Sequence, residues 1–292
     1  MPAMFELLAQ SPAYFLSFVF ILSLLVGSFL NVVIYRLPVM MEKGWKQEFH
    51  AYFHPEQVED EQQDTFNLVK PDSTCPKCQH KIRAWENIPV VSWLLLRGKC
   101  SQCQNPISAR YPAVELLTAL ASVSIAWHFG FGWQAAAAVF LTWCLMALIF
   151  IDIDKMLLPD QITLPLLWLG LLLSTAGVFV DATDAIIGAA AGYLSLWSVY
   201  WLFKLLTGKE GMGYGDFKLL AALGAWMGWQ HLAIIILLSS FVGAVIGISY
   251  LIIKGKEKGS HIPFGPYLAI AGWLTLMFGG QIADLYWQWA LA

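Results

Sequence analysis

Residues 14–35 read YFLSFVFILSLLVGSFLNVVIY, 22 residues without a single charge. A helix of that length runs about 33 Å, enough to cross the ~30 Å hydrocarbon core of a bilayer. In hydrocarbon each backbone N–H and C=O must be bonded within the segment itself, so the run is read as a membrane helix. The pattern then repeats along the chain. Residues 114–151 are too long for one span, and Phe129-Gly-Phe-Gly-Trp-Gln134 divides them into runs at 114–129 and 133–151. Runs at 162–180 and 185–203 flank Asp181-Ala-Thr-Asp184. A short run at 219–229 is separated by Gln230-His231 from 232–253, and 264–281 is the last. The expectation is an all-α polytopic membrane protein with about eight transmembrane helices. The sixth run is too short to cross alone, so it is expected to extend at its ends or to begin in a water-accessible cavity.

Composition agrees. Of 292 residues 58% are hydrophobic and 13% charged, the latter about half the usual ~25%. This excludes a disordered chain, a fibrous chain and an ordinary soluble enzyme. The net charge of −3 gives no general attraction to nucleic acid. The charges that exist are concentrated. Residues 36–113 hold 10 of the 17 Lys/Arg and 9 of the 20 Asp/Glu. That segment is expected to be a small cytosolic insert between a first membrane helix (1–35) and a seven-helix membrane domain (114–292). No internal repeat is evident.

Orientation follows from the Lys/Arg bias of the loops. With the N-terminus periplasmic, the insert and Lys155, Lys204, Lys209, Lys218, Lys254, Lys256 and Lys258 all face the cytoplasm. The first 35 residues lack Lys and Arg. A secretory signal needs a basic n-region, so the first span is expected to be retained.

Four of the five cysteines form two pairs, Cys75-Pro-Lys-Cys78 and Cys100-Ser-Gln-Cys103, with 21 residues between them. Two such turns bring four thiolates to one tetrahedral Zn²⁺. Lys77, Lys81, Arg83, Arg97 and Lys99 offset the charge of that centre. Four protein ligands leave no open position for water, so one structural zinc is expected. The alternative is two independent thiol pairs. Cys144 sits in an apolar run and reads as a small buried hydrophobe.

Carboxylates at the ends of spans are the remaining place for chemistry. Ile151-Asp-Ile-Asp-Lys-Met-Leu-Leu-Pro-Asp160 closes the third span, and Gly213-Tyr-Gly-Asp216 opens the sixth. Two close carboxyls cannot both ionise, so one serves as base toward a water while the other holds a proton. Gly213 and Gly215 would let a substrate strand approach the backbone. Asp216 also fits a helix N-cap. Asp152 has Asp154 and Asp160 as rivals. Glu56, Glu59, Asp60 and Glu61 form an acidic, polar stretch.

Taken together the motifs resemble the bacterial type IV prepilin peptidases, membrane aspartic proteases of the G-x-G-D class. The matching segments are Gly27-Ser-Phe-Leu-Asn-Val-Val-Ile-Tyr-Arg-Leu-Pro38, the two Cys pairs with Glu86-Asn-Ile-Pro-Val90 between them, Arg110-Tyr-Pro-Ala-Val-Glu115, Asp152 with Leu158-Pro159-Asp160, and Gly211-Met-Gly-Tyr-Gly-Asp-Phe-Lys218. The resemblance implies cleavage of leaders from type IV prepilins and type II secretion pseudopilins at the cytoplasmic face of the inner membrane. N-methylation of the new terminus with S-adenosylmethionine would follow. It implies Asp152 and Asp216 as the catalytic pair, with Gly213, Gly215 and Lys218 as motif support. Gly27, Asn31 and Arg36 are the candidates for cofactor contact by the same resemblance, since no G-x-G-x-x-G loop offers a dinucleotide-type site. The acidic stretch at 56–61 would suit a basic leader. The competing classes are a proton- or ion-coupled transporter with a regulatory zinc insert, and a non-catalytic scaffold. No nucleic acid partner is expected, and the oligomeric state is open.

Overall fold

The computed structural model describes residues 2–53, 66–254 and 263–290. The acidic stretch at 56–64, Lys256 and Lys258 lie outside them. The elements are α1 (Pro2–Gln10), α2 (Pro12–Phe53), α3 (Val91–Leu95), α4 (Arg110–Phe129), α5 (Trp133–Lys155), α6 (Asp160–Thr175), α7 (Ala182–Thr207), α8 (Tyr214–Met227), α9 (Leu232–Lys254) and α10 (Gly265–Ala290). Among the described residues there is no strand, only two isolated bridges.

Six helices are long and apolar enough to cross a membrane: α2, α4, α5, α7, α9 and α10. The expected eight-helix order is present, but two members fall short. α6 has 16 residues and α8 has 14, so they rise about 24 and 21 Å against a ~30 Å core. The length of the sixth apolar run accounts for the short α8, whereas the fourth run is longer than the helix it forms. The apolar run at 162–180 stops being helix at Thr175. Ser174 and Thr175 turn their hydroxyls back onto the carbonyls of Leu171 and Leu172, and Gly177 takes φ +62°.

The chain forms two compact units, residues 1–131 and 132–292. α2 runs unbroken through residue 35 and even past Pro38, and α4 packs along it.

In the first unit α2 presents Val19, Ser23, Gly27, Leu30 and Ile34 on one face, the three-to-four spacing of a helical stripe. α4 answers with Val114, Thr118, Ser122 and Ile125. The hydroxyls of Thr118 and Ser122 bond to carbonyls one turn back, so no polar group is left bare. At Gly27 a Cβ would stand 2.8 Å from the Glu115 Cα. The two backbones therefore touch only because residue 27 has no side chain.

In the second unit α8 is the central element. Residues 219–227 are all buried, surrounded by α6, α7, α9 and α10. Large apolar side chains point outward, as on α7 at Ile186, Leu194, Leu202 and Leu205, while α7 turns Ala185, Gly188 and Gly192 inward. Lipid is as apolar as leucine, so close backbone packing rather than hydrophobic sorting joins such helices. A Cβ on Gly188 would strike the Gly224 carbonyl, and one on Gly224 the Gly188 carbonyl. Gly224→Leu is therefore expected to push α8 off α7 and abolish folded protein. Gly44→Ala, on α2 with nothing within 4 Å, should be tolerated or add up to ~1 kcal/mol through helix propensity. Thermal unfolding in detergent reads both.

Candidate active site and metal centre

The second unit gathers the carboxyls. Asp152 lies in the last turn of α5, which ends when Met156 takes φ +51° and returns its N–H to the Asp152 carbonyl. The Asp152 side chain is buried at 5% exposure and accepts the backbone N–H of Gly265, the first residue of α10. A Cβ at Gly265 would stand 2.6 Å from Asp152 Oδ2, so only glycine admits that contact. Asp216 is 6% exposed. It is not the N-cap of α8, as one sequence reading allowed. Gly213 holds that position, and Asp216, three residues on, reaches back to accept the Gly213 N–H. This is half of a capping box, and it places the carboxylate at the positive end of the helix.

The two carboxyls lie within Coulombic reach of each other. Leu158, buried in the α5–α6 loop, bridges their supports. A Cβ at Gly215 would meet Leu158 Cβ at 2.7 Å, and one at Gly265 would meet its methyls at 3.1 Å. The ends of α5, α8 and α10 thus converge on one corner.

The rivals are placed elsewhere. Asp154 is exposed. Asp160 accepts both 2.7 Å bonds from Lys218 Nζ, so Lys218 pins the start of α6 to the first turn of α8. Further supports carry no signal in the sequence reading. Lys204 donates to Glu210 at 2.8 Å and to the Tyr200 hydroxyl at 3.2 Å, closing the 208–213 loop over the end of α7. Tyr200 packs on Tyr214 and Phe217, with ring centres 5.3 and 5.6 Å apart. Lys204 and Glu210 stand six apart across Gly208, a chain reversal that helix spacing rules do not cover.

The first unit holds the cysteines. The Sγ atoms of Cys75, Cys78, Cys100 and Cys103 all lie within 4.8 Å of one another. Cys75–Cys103 is 3.7 Å and Cys78–Cys100 is 4.0 Å. These are far beyond a disulfide bond. A tetrahedral site with Zn–S bonds of about 2.3 Å requires sulfurs about 3.8 Å apart, so the donor set fits such an ion. Each pair sits in the same turn. Gln79 and Gln104 take φ +59° and +58°, and the Cys75 and Cys100 N–H groups bond the carbonyls of His80 and Asn105. The pattern Cys-x-x-Cys-Gln-x-x-Ile thus occurs twice, at 75–82 and 100–107. With four shared positions in eight, the repeat is too short to stand out from the sequence without the matching turns. Backbone N–H groups of Cys78 and Lys77 point at the Cys75 sulfur and draw that thiol down to about 6, toward the thiolate a metal needs.

Glu86 joins the two turns. It accepts the Arg83 N–H at 2.8 Å, bonds the Ser101 hydroxyl and meets the His80 ring at 3.1 Å. These donors, the backbone N–H first, hold its carboxyl down at about 2. With the folded value depressed from about 4.5, its contribution to stability is complete above that pH and lost as pH falls toward 2. Glu86→Ala is expected to loosen residues 72–109 and to remove this part of the acid sensitivity. Hydrogen exchange of that segment checks it.

The three candidates for cofactor contact all have partners within the protein. Gly27 packs on Glu115. Asn31 bonds the carbonyls of Gly27 and Tyr111. Arg36 donates to the carbonyls of Asn67 at 3.0 Å and Pro71 at 2.7 Å and lies against the Phe66 ring. Arg36 thereby ties the start of the Cys segment to α2.

A polytopic helical membrane protein with a buried pair of carboxyls is the class that the fold and the site define. Residues 21–129 match the bacterial peptidase A24 N-terminal domain, and residues 139–248 match the type IV leader peptidase family. The chain is 59% identical over 286 residues to a prepilin leader peptidase/N-methyltransferase of Aeromonas hydrophila, covering 98% of both chains. It is 58% identical over 285 residues to one of Pseudomonas aeruginosa, again covering 98% of both. With one of Neisseria gonorrhoeae the figure is 53% over 254 residues, 87% of both chains. No solved structure matches the chain. The chain belongs to the type IV leader peptidase family.

Proposed function

We propose that the protein is an inner-membrane aspartic endopeptidase. It cleaves the leader from prepilins and pseudopilins at the cytoplasmic face and then N-methylates the new terminus. The observation that carries the peptidase reading is the burial of Asp152 and Asp216 within Coulombic reach of each other, in a chain of this family. One carboxylate takes a proton from a water as that water attacks the scissile carbonyl. The other, protonated, donates a hydrogen bond to the carbonyl oxygen and then a proton to the leaving amine. No acyl-enzyme forms. The Gly265 and Gly213 N–H groups fix the two carboxyls in orientation, so little reorganisation accompanies the reaction.

Gly215 keeps the chain slim beside Leu158, and the Lys218–Asp160 pair holds α8 in register with α6. The relatives named above are peptidase/N-methyltransferases, and no observation favours ion or solute transport.

S-adenosylmethionine is the methyl donor that the second activity implies. Gly27, Asn31 and Arg36 are our candidates for contact with it: Gly27 and Asn31 lie where α2 meets α4, and Arg36 holds the start of the Cys segment to α2. The Cys₄ set is read as one structural zinc site. Arg36→Ala frees the turn at 66–71, so it is expected to lower methylation more than cleavage. The test is incubation of membranes with a prepilin. The peptidase reading requires a shortened product with the wild type and none with Asp152→Ala or Asp216→Ala. Retained cleavage by either variant removes the assignment.

A further inference from the structure

We propose that the apolar edge of the Cys segment, formed by Ile82, Trp85, Ile88, Val91, Leu94 and Leu95, is a membrane-interface anchor seated in the headgroup–acyl boundary of an anionic bilayer. All six side chains are exposed, Leu94 at 61% and Leu95 at 73%. Single exposed apolar residues are ordinary; six among the 14 residues 82–95 are not. Val91, Leu94 and Leu95 share one face of α3 at the i, i+3, i+4 spacing. Trp93, between them, turns inward, donating to the Ile107 carbonyl at 3.1 Å and packing on Gly98. The remaining face of α3 is left to the surroundings.

Two tethers set the depth of this edge. Val90, immediately before α3, donates its N–H to Glu115 Oε2 at 2.7 Å. Glu115 is five residues into α4, about 7 Å along its axis from Arg110. α4 has 20 residues, about 30 Å, and needs its full length to cross the hydrocarbon. Its Glu115 side chain leans toward the helix N-terminus, so Val90 is held beside the first two turns of α4. At the other end of the segment Arg36 holds Asn67 and Pro71 against α2. Val90 itself is bent into a tight turn at φ +61°, ψ −48°, with the Val91 N–H on the Pro89 carbonyl at 2.6 Å. A β-branched residue holds that strained geometry only where its surroundings impose it. The Glu115 bond therefore fixes α3 in place.

Charge identifies the occupant. Arg83, Arg97 and Lys99 flank the edge, are exposed, and make no ion pair among the described residues. Cations beside an apolar, Trp-bearing edge suit anionic headgroups over acyl chains.

The test uses the full-length protein in nanodiscs of phosphatidylethanolamine and phosphatidylglycerol. A trifluoromethyl-phenyldiazirine dissolved in the bilayer is photolysed, and labelled peptides are mapped by mass spectrometry. Peptides covering 82–97 should carry label at a level comparable with the lipid-facing part of α4. Leu94→Glu/Leu95→Glu should lower that label about fivefold or more, with α4 unchanged and metal content retained. If that variant loses its metal, Ile88→Glu, at an exposed position of the same stretch, decides by the same loss of label. No label on 82–97 beside a labelled α4 overturns the proposal. So does label unchanged in Ile88→Glu, or protection of this stretch from hydrogen exchange that comes from added prepilin and not from lipid.

Discussion

Asp216→Asn is expected to lower prepilin cleavage by about 10²–10⁴-fold, the range for loss of a positioned acid or base, while the protein stays folded in the membrane. Asn keeps the shape and can still accept the Gly213 N–H that the carboxylate accepts, so the start of α8 need not change. What it loses is the ability to exchange a proton. Asp152→Asn should behave alike, because the Gly265 contact can likewise go to an amide oxygen. Two carboxyls that act as one unit are grossly non-additive. The double variant should therefore be no worse than either single one. Asp154→Asn, at an exposed position, should leave cleavage unchanged. Peptide product per unit of membrane protein measures all four.

Cys75→Ser is expected to have the second large effect, on the first unit. A structural metal supplies folding free energy outright, with apparent values of about 10–16 kcal/mol for small zinc modules. The Cys segment has little else. Its secondary structure is one 3-10 turn and the five-residue α3, and its two Cys turns are closed by single bridges. Purified wild type should contain about one zinc. Cys→Ser at position 75, 78, 100 or 103 should lose it, with hydrogen-exchange protection lost across 72–109. Methylation should fall further than cleavage, because Asp152 and Asp216 are packed within the second unit. A metal-free wild type of full stability would remove the zinc reading.

Much of the fold was legible because membrane helices announce themselves. An uncharged run of 22 residues has few alternatives in hydrocarbon. The Cys spacing was equally direct, and the four sulfurs do converge. What failed was the ends of elements. Apolarity continues from 175 to 180, but hydroxyls bonding back to the chain and a glycine at positive φ end α6 early. Charge marks the end of the apolar run at Arg36 but not the end of α2, which continues to Phe53 because a helix leaving a membrane needs no break.

The acid pair was legible only as candidates. Chemistry alone left Asp154 and Asp160 beside Asp152, and the motif resemblance chose between them. The structure adds the burial of Asp152 and the engagement of Asp160 by Lys218. Gly265, Leu158, Tyr200 and Glu210 stayed hidden, because each matters through a partner distant in sequence. Gly27, Asn31 and Arg36 were legible as a motif, and their contacts with Glu115, Tyr111 and Pro71 were not, because those partners are distant in sequence.

Cleavage by the Asp152–Asp216 pair followed by methylation is read most directly from the mass of a prepilin after incubation with membranes carrying the wild-type protein or Asp152→Asn. With the wild type and S-adenosylmethionine, the expected product is shortened by its leader and about 14 Da heavier at its new N-terminus. Without the methyl donor the product should be shortened only, and with Asp152→Asn the prepilin should stay intact. An intact prepilin with the wild type, or a shortened one with Asp152→Asn, would contradict cleavage by this pair.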